Sequence, residues 1–318
     1  MLYCNHSHRL FILMALLVFL ASCGMAKSQS GSVARDTVET LVTTEWLSQH
    51  LNDTDLVILD CSVYMVPDSA GGMGAVSGRA RYEQGHIPSA GFANLMGALC
   101  DTNSEHAYAL PTPEQFCDAM GKLGVGDNSR VVLYDAYNSV WAARVWWMLR
   151  WVGFDRVALL DGGLKAWTTD ERELSTKPAD HSAGKLTPNL RPETIADRDE
   201  VFEAISDGAI VLIDAMPEAH FQGKMVMYGR PGHIPTARNV SAMALIEKSG
   251  CYRSDEELAA MFTDDRKDRY ITYCGAGIAA SSNAFVMTRL GFKDVAVYMG
   301  SLQEWVADPA NPLEVGEQ

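Results

Sequence analysis

The sequence predicts an α/β protein of two tandem domains, each a mainly parallel sheet with helices on both faces. Three observations carry this. Short runs rich in Val, Ile, Leu and Tyr alternate with helical patterns, the signature of strand–helix units. The order of segments in the first half recurs in the second. Both halves carry one tetrapeptide, Gly85-His86-Ile87-Pro88 and Gly232-His233-Ile234-Pro235. At 318 residues the chain has room for two ordinary domains. A net charge of −14 excludes a basic footprint for nucleic acid.

The first residues read as a targeting segment rather than fold. His6, His8 and Arg9 precede the apolar run Leu10 to Leu20, which is too short for a confident membrane span and has the shape of a secretory signal. The run ends in Leu20-Ala21-Ser22-Cys23, which resembles a bacterial lipobox, with Cys23 the lipidated new N-terminus. Residues 1–22 are then a signal peptide, and 23–40, small and polar, a tether from a membrane. This implies an exported protein, lipid-anchored in the bacterial cell envelope on the periplasmic face. Gly24 after Cys23 favours the outer membrane. Cys61, Cys100, Cys117, Cys251 and Cys274 remain as thiols, an odd number.

The first domain is read over 41–167. Thr44 to His50 reads as a short helix capped by Thr44, and Leu56 to Leu59 as a strand ending at Asp60-Cys61. Ser69 to Gly78 reads as a glycine-rich loop. Pro113 to Leu123 reads as a helix with Pro at its start. Arg130 to Tyr134 is a strand ending at Asp135, Ala142 to Trp151 a helix, and Val157 to Leu160 a strand. Residues 168–189 are polar, with Pro178 and Pro188, and read as the linker.

The second domain, 190–318, repeats this order. Ala209 to Ile213 is a strand ending at Asp214, Glu256 to Phe262 a helix, and Ile271 to Tyr273 the strand before Cys274. Gly300-Ser301-Leu302-Gln303-Glu304-Trp305 answers Gly162-Gly163-Leu164-Lys165-Ala166-Trp167. Asp135 to Trp167 spans 32 positions and Cys274 to Trp305 spans 31, so Cys274 corresponds to Asp135.

Cys274 is the candidate nucleophile. It sits at a strand tip, and Gly275, Ala276, Gly277, Ile278 and Ala279 lead into a helix read from Ala280 to Leu290. Two glycines let successive N–H groups turn inward, and the helix start adds partial positive charge. Both favour a thiolate and would hold an anionic persulfide. A packed strand-end cysteine is the competing reading, and the Gly-x-Gly loop tells against it.

Leu59-Asp60-Cys61-Ser62, both Gly-His-Ile-Pro turns, Val132 to Asp135, Trp146-Trp147-Met148-Leu149-Arg150, Leu160-Asp161-Gly162-Gly163, Cys274-Gly275-Ala276-Gly277 and Gly300-Ser301, in that duplicated order, resemble the tandem-domain rhodanese family, the thiosulfate and 3-mercaptopyruvate sulfurtransferases. The resemblance implies two rhodanese-like domains, the second catalytic and the first without a nucleophile. It implies sulfur transfer through a Cys274 persulfide, from a small anionic donor to a thiol or thioredoxin-like acceptor, with no dissociable cofactor. Cys-Gly-x-Gly-hydrophobic looks like the mercaptopyruvate branch; the thiosulfate branch usually carries basic residues there.

The resemblance also names candidate donor contacts in Arg230, His220 and His86. Ala276 stands where the mercaptopyruvate branch has a serine. His86 matches the histidine of that branch's proposed relay, but no Asp falls at the expected place in Ser77 to Gln84. The branch's first substrate arginine is answered by His220, in His220-Phe221-Gln222-Gly223, and a second by Arg230.

Smaller signals have two readings each. His86 and His233 either face the cleft or hold their turns. Cys61 is a resolving thiol or a packed one. Met225-Val226-Met227-Tyr228 lines the pocket or forms a lid. Trp141, Trp146, Trp147 and Trp151 read as packing. No His/Cys/Asp group has metal-ligand spacing, and no dinucleotide or phosphate-loop motif appears. Two rival functions stand beside sulfur transfer: a selenium- or chalcogen-handling enzyme of the same kind, and a non-catalytic binding or assembly lipoprotein of the envelope.

Overall fold

The computed structural model describes residues 39–67, 72–262 and 269–316. The expected signal segment and Cys23 lie outside them. The first lobe runs through β1 (Leu41–Val42), α1 (Thr44–His50), β2 (Leu56–Asp60), β3 (Val63–Pro67), β4 (Met73–Ser77), α2 (Arg79–Gln84), β5 (Gly91–Phe92), α3 (Pro113–Lys122), β6 (Arg130–Tyr134), α4 (Val140–Trp151), β7 (Val157–Leu160) and α5 (Gly163–Thr169). The second runs through β8 (Ile195–Ala196), α6 (Arg198–Ser206), β9 (Ile210–Asp214), α7 (Glu218–Phe221), β10 (Arg238–Asn239), α8 (Asp255–Met261), β11 (Arg269–Tyr273), α9 (Ile278–Arg289), β12 (Val295–Tyr298) and α10 (Ser301–Trp305).

Each lobe holds one parallel five-stranded sheet, ordered β1-β7-β6-β2-β5 and β8-β12-β11-β9-β10. The repeat read in the sequence is therefore a repeat of topology. Leu59, Leu133 and Leu159 share one row of the first sheet, and Ile213, Thr272 and Val297 one row of the second. The strands β6 and β11 are paired on both edges and buried, which is why they read as unbroken apolar runs.

The helices α4 and α9 explain how the lobes hold together. Every residue of α4 except Arg150 is buried, and α9 is buried from Ile278 to Met287 apart from Ala279. Helices buried on nearly every side need neighbours on nearly every side, and these two pack against each other. Trp146 meets Phe285 edge-on, ring centroids 5.0 Å apart. One apolar core runs through both lobes along this seam, and a smaller one fills the other face of the first sheet. Trp141, Trp146, Trp147 and Trp151 are all buried.

Several local readings are corrected. The cap of α1 is Thr43, whose Oγ1 accepts the Trp46 N–H at 3.1 Å. Within the glycine-rich stretch, Met73–Ser77 form β4, paired antiparallel with β3, and α2 follows after Gly78. The sequence reading also missed α6, which Asp197 caps through Glu200 N–H at 2.9 Å. The polar linker is no loose tether. Ser175 exchanges two backbone bonds with His86 (2.8 and 2.9 Å), and Gly184 and Asn189 donate to Gly121 and Val152 at 2.9 and 2.8 Å.

Candidate active site

Ligand sites in parallel sheets form beyond the carboxyl ends of strands, and the candidate site begins at the end of β11. Tyr273 closes the strand; its hydroxyl accepts the Ile234 N–H at 3.0 Å and ties the strand end to the second Gly-His-Ile-Pro turn. Tyr134 does the same for Ile87 in the first lobe, at 3.2 Å. Cys274 follows, 3% exposed. Its N–H donates to Ser301 Oγ at 3.2 Å, and its carbonyl accepts the Leu302 N–H at 3.0 Å. The Gly275 carbonyl accepts the Gln303 N–H at 3.0 Å, so the first turn of α10 clamps the loop. Ser301 holds a left-handed φ of 51° to do this, backbone strain at the clamp itself.

The first lobe shows what such a loop holds. Asp135 stands directly after β6, and its carboxylate accepts four backbone N–H groups: Tyr137 (2.7 Å), Ser139 (3.0 Å), Trp141 (2.8 Å) and Ala142 (2.9 Å). Burial pushes Asp135 up to about 6 against the pull of those four bonds. In the second lobe no side chain of the described residues fills this role, and among the described residues the N–H groups of Gly275, Ala276 and Gly277 donate to no backbone acceptor. Gly277 caps α9 at φ 75°, a left-handed turn that suits glycine.

Three further groups lie about the loop: Tyr228, from the segment read as pocket lining or lid, and Tyr108 and Arg144, which the sequence reading missed. Tyr228 lies against Gly275: a Cβ added there would stand 1.9 Å from the Tyr228 hydroxyl. Burial, then the nearby Cys274 and Tyr108, push the Tyr228 hydroxyl well above its ordinary range. Tyr108 comes from the first lobe, its ring 5.4 Å from that of Trp141. Arg144, from α4, donates to the Gly277 carbonyl at 3.2 Å. A signal for Arg144 was present: an arginine inside an otherwise apolar helix must find buried partners. The segment before Tyr228 is open, with Met225, Val226 and Met227 each more than half exposed.

Among the described residues no hydrogen bond joins any of the three expected donor contacts to the Cys274 loop. His86 is 1% exposed, with Nδ1 2.8 Å from the Tyr82 carbonyl oxygen, Nε2 2.9 Å from that of Lys177, and its ring stacked on Tyr82. Each nitrogen lies within hydrogen-bonding distance of a backbone carbonyl, one in the turn and one in the linker, and whichever carries the proton donates to its carbonyl. His233 holds its own turn likewise, 2.7 Å from the Phe221 carbonyl oxygen. Arg230 donates to the carbonyls of Asp308 (3.1 Å) and Asn311 (2.9 Å), gripping the C-terminal segment. His220 is buried in α7; among the described residues no hydrogen bond joins its ring to the Cys274 loop. Cys61 is packed: burial, then Asp60 and Asp135, push its thiol far up, which suits no resolving role.

Comparison with known proteins agrees with this architecture. Residues 43–170 and 197–308 match the Rhodanese-like domain family. The chain is 32% identical over 278 residues to the 3-mercaptopyruvate sulfurtransferase of Escherichia coli K12, covering 85% of this chain and 96% of that protein. It is 30% identical over 275 residues to the thiosulfate sulfurtransferase of Gallus gallus, covering 83% and 92%. The crystal structure of SseA from Escherichia coli, described as a 3-mercaptopyruvate sulfotransferase with the rhodanese fold, superimposes with a TM-score of 0.74 at 31% identity, over 82% of this chain and 98% of that one. With both lobes matched in sequence and the repeat carried through every strand of both sheets, the chain belongs to the rhodanese-like family.

Proposed function

We propose that this protein is a sulfurtransferase that moves a sulfane sulfur from a small anionic donor, thiosulfate or 3-mercaptopyruvate, to a thiophilic acceptor through a persulfide on Cys274. The relatives' activities point this way. The observation that carries the reading is the pairing of Asp135 with Cys274. A carboxylate oxygen of Asp135 stands three bonds from its Cα, and so does the outer sulfur of a cysteine persulfide. The four N–H bonds to Asp135 therefore serve as an internal example of how the matching loop, Gly275 to Ala279, receives a persulfide anion.

In the first step the Cys274 thiolate attacks the outer sulfur of the donor. The new S–S bond forms as the donor's bond to that sulfur breaks, and the electron pair leaves on sulfite, or on the pyruvate enolate, which takes up the thiol proton. In the second step an acceptor thiolate attacks the outer sulfur and leaves as a persulfide, and Cys274 returns as thiolate. The catalytic domain is assigned to 190–318, the domain without nucleophile to 41–167, and the linker to 168–189. The sequence from Leu10 to Cys23 supports export and lipid anchoring at Cys23 in the cell envelope, with the outer membrane preferred.

Intact mass of the protein after incubation with thiosulfate, and separately with mercaptopyruvate, beside Cys274→Ser, tests the chemistry. A gain of one sulfur atom, absent in the variant, is expected, and the faster donor identifies the branch. No adduct from either donor, with Cys274 still open to alkylation, overturns the reading. Lipidation is read from the mass of the N-terminal peptide of protein expressed in a bacterial host, with Cys23→Ser expected to lack the acyl chains.

A further inference from the structure

The first lobe lacks the cysteine, yet it sends one charged group to the second lobe's loop. Arg144 stands midway along α4 and is 1% exposed. Nη2 donates to the Tyr108 carbonyl at 2.7 Å and Nη1 to the Gly277 carbonyl at 3.2 Å. Nη1 also lies 3.2 Å from Met299 Sδ, and Nε is buried with no partner. Among the described residues no carboxylate forms an ion pair with it. A buried charge without a counter-ion is costly, and carbonyl dipoles offset only part of that cost. Burial pulls Arg144 down to about 10, with the Cys274 and Cys100 sulfurs opposing, so it stays a cation at neutral pH.

We infer that Arg144 is a positioning residue for sulfur transfer: the first lobe's buried guanidinium supplies the counter-charge for the Cys274 thiolate and for the persulfide that follows, and fixes the peptide at Gly277. The carbonyl of Gly277 and the N–H of Ile278 share one trans peptide plane and point opposite ways. Holding the carbonyl on Arg144 therefore fixes the direction of that N–H. A Cβ at Gly277 would stand 2.8 Å from Nη1, a second reason for glycine there. Among the described residues, the titratable groups near Arg144 and the Cys274 loop are Cys100 beside Arg144, Tyr108, and Tyr228 from the segment after α7. Arg144 is the cation beside them. It provides what the loop sequence lacks, since no basic residue follows Cys274 within it.

The inference rests on Cys274 being the nucleophile, and its test does not depend on sulfur transfer. The rate of Cys274 alkylation by iodoacetamide is followed against pH in the purified protein, with peptide mapping to separate Cys274 from the other thiols. In Arg144→Met the half-maximal rate moves to higher pH by about one unit, so alkylation near neutral pH slows about tenfold while the alkaline plateau is kept. Arg144→Lys restores most of the difference. Should Arg144→Met fail to fold, Arg144→Gln, which keeps an N–H donor for Gly277, carries the same test. Profiles that overlay the parent's, even with sulfur transfer reduced, overturn the inference and leave Arg144 a strut. Absence of a persulfide in the parent overturns the proposed function instead.

Discussion

Asp135 and Cys274 occupy one position in two copies of a fold. Each is the first residue after the central strand of its sheet, and each gives its carbonyl to the second helical N–H beyond the last strand, that of Leu164 or of Leu302, both at 3.0 Å. One loop is closed by its own carboxylate, and the other presents a sulfur.

If Cys274 alone carries the sulfur, Cys274→Ser abolishes transfer from either donor, by a factor of about a thousand or more, because a neutral hydroxyl is a poor nucleophile and forms no persulfide. Steady-state assays with cyanide as acceptor check this. Unchanged far-UV and near-UV spectra show that the fold is retained.

Asp135→Asn replaces an acceptor of four N–H groups with a side chain that turns an amide donor toward Trp141 and Ala142. Loss of about 2 kcal/mol of stability is expected. Denaturant unfolding measures it, and the alkylation rate of Cys274 should not change.

Gly275→Ala sets a methyl where the Tyr228 hydroxyl lies. Tyr228 belongs to an open segment and can swing aside, so stability changes by about 1 kcal/mol or less while Cys274 becomes more exposed. Alkylation at fixed pH should rise several-fold. An unchanged rate would show that Tyr228 does not cover the sulfur.

Arg230→Ala separates a substrate contact from a structural clasp. The two carbonyl bonds predict a loss of about 1–2 kcal/mol, seen as a lower Tm, with KM for either donor unchanged. A large rise in KM would instead make Arg230 a donor contact.

Asp214 predicts the direction of a pH effect. Burial pushes its carboxyl up to about 7, against the Met216 N–H and Tyr273 hydroxyl bonds, from an ordinary value of 3.8. Between those values the folded protein keeps a proton that the unfolded chain has released. This part of the stability is full below about pH 4 and declines as pH rises to about 7. Asp214→Asn should be more stable than the parent at about pH 8 and show a flatter profile between about pH 4 and 7. Urea midpoints across that range check both.

The repeat, the two sheets and the place of Cys274 at a strand tip were legible because they are carried by local pattern: apolar runs, turn tetrapeptides and a Gly-x-Gly loop. The hydrogen-bond partners of the candidate donor contacts were not, because alignment with a family says which residue stands at a place but not which backbone carbonyls reach it. His86 and Arg230 are both held by carbonyls distant in sequence, at Lys177, Asp308 and Asn311. The contribution of Arg144 was hidden for a related reason: its partner, Gly277, lies 133 residues away in the other lobe. The hairpin β3–β4 escaped notice because glycine and alanine around Met73 to Ser77 mask its alternation.

The seam between α4 and α9 has a genetic meaning. A duplicated unit whose spare copy loses its reactive residue is normally free to decay. Here the copy without the cysteine supplies half of the shared core and a buried arginine bonded to the other copy's loop. A gene cut inside the linker would yield two polypeptides, neither self-sufficient, whose function returns only on co-expression.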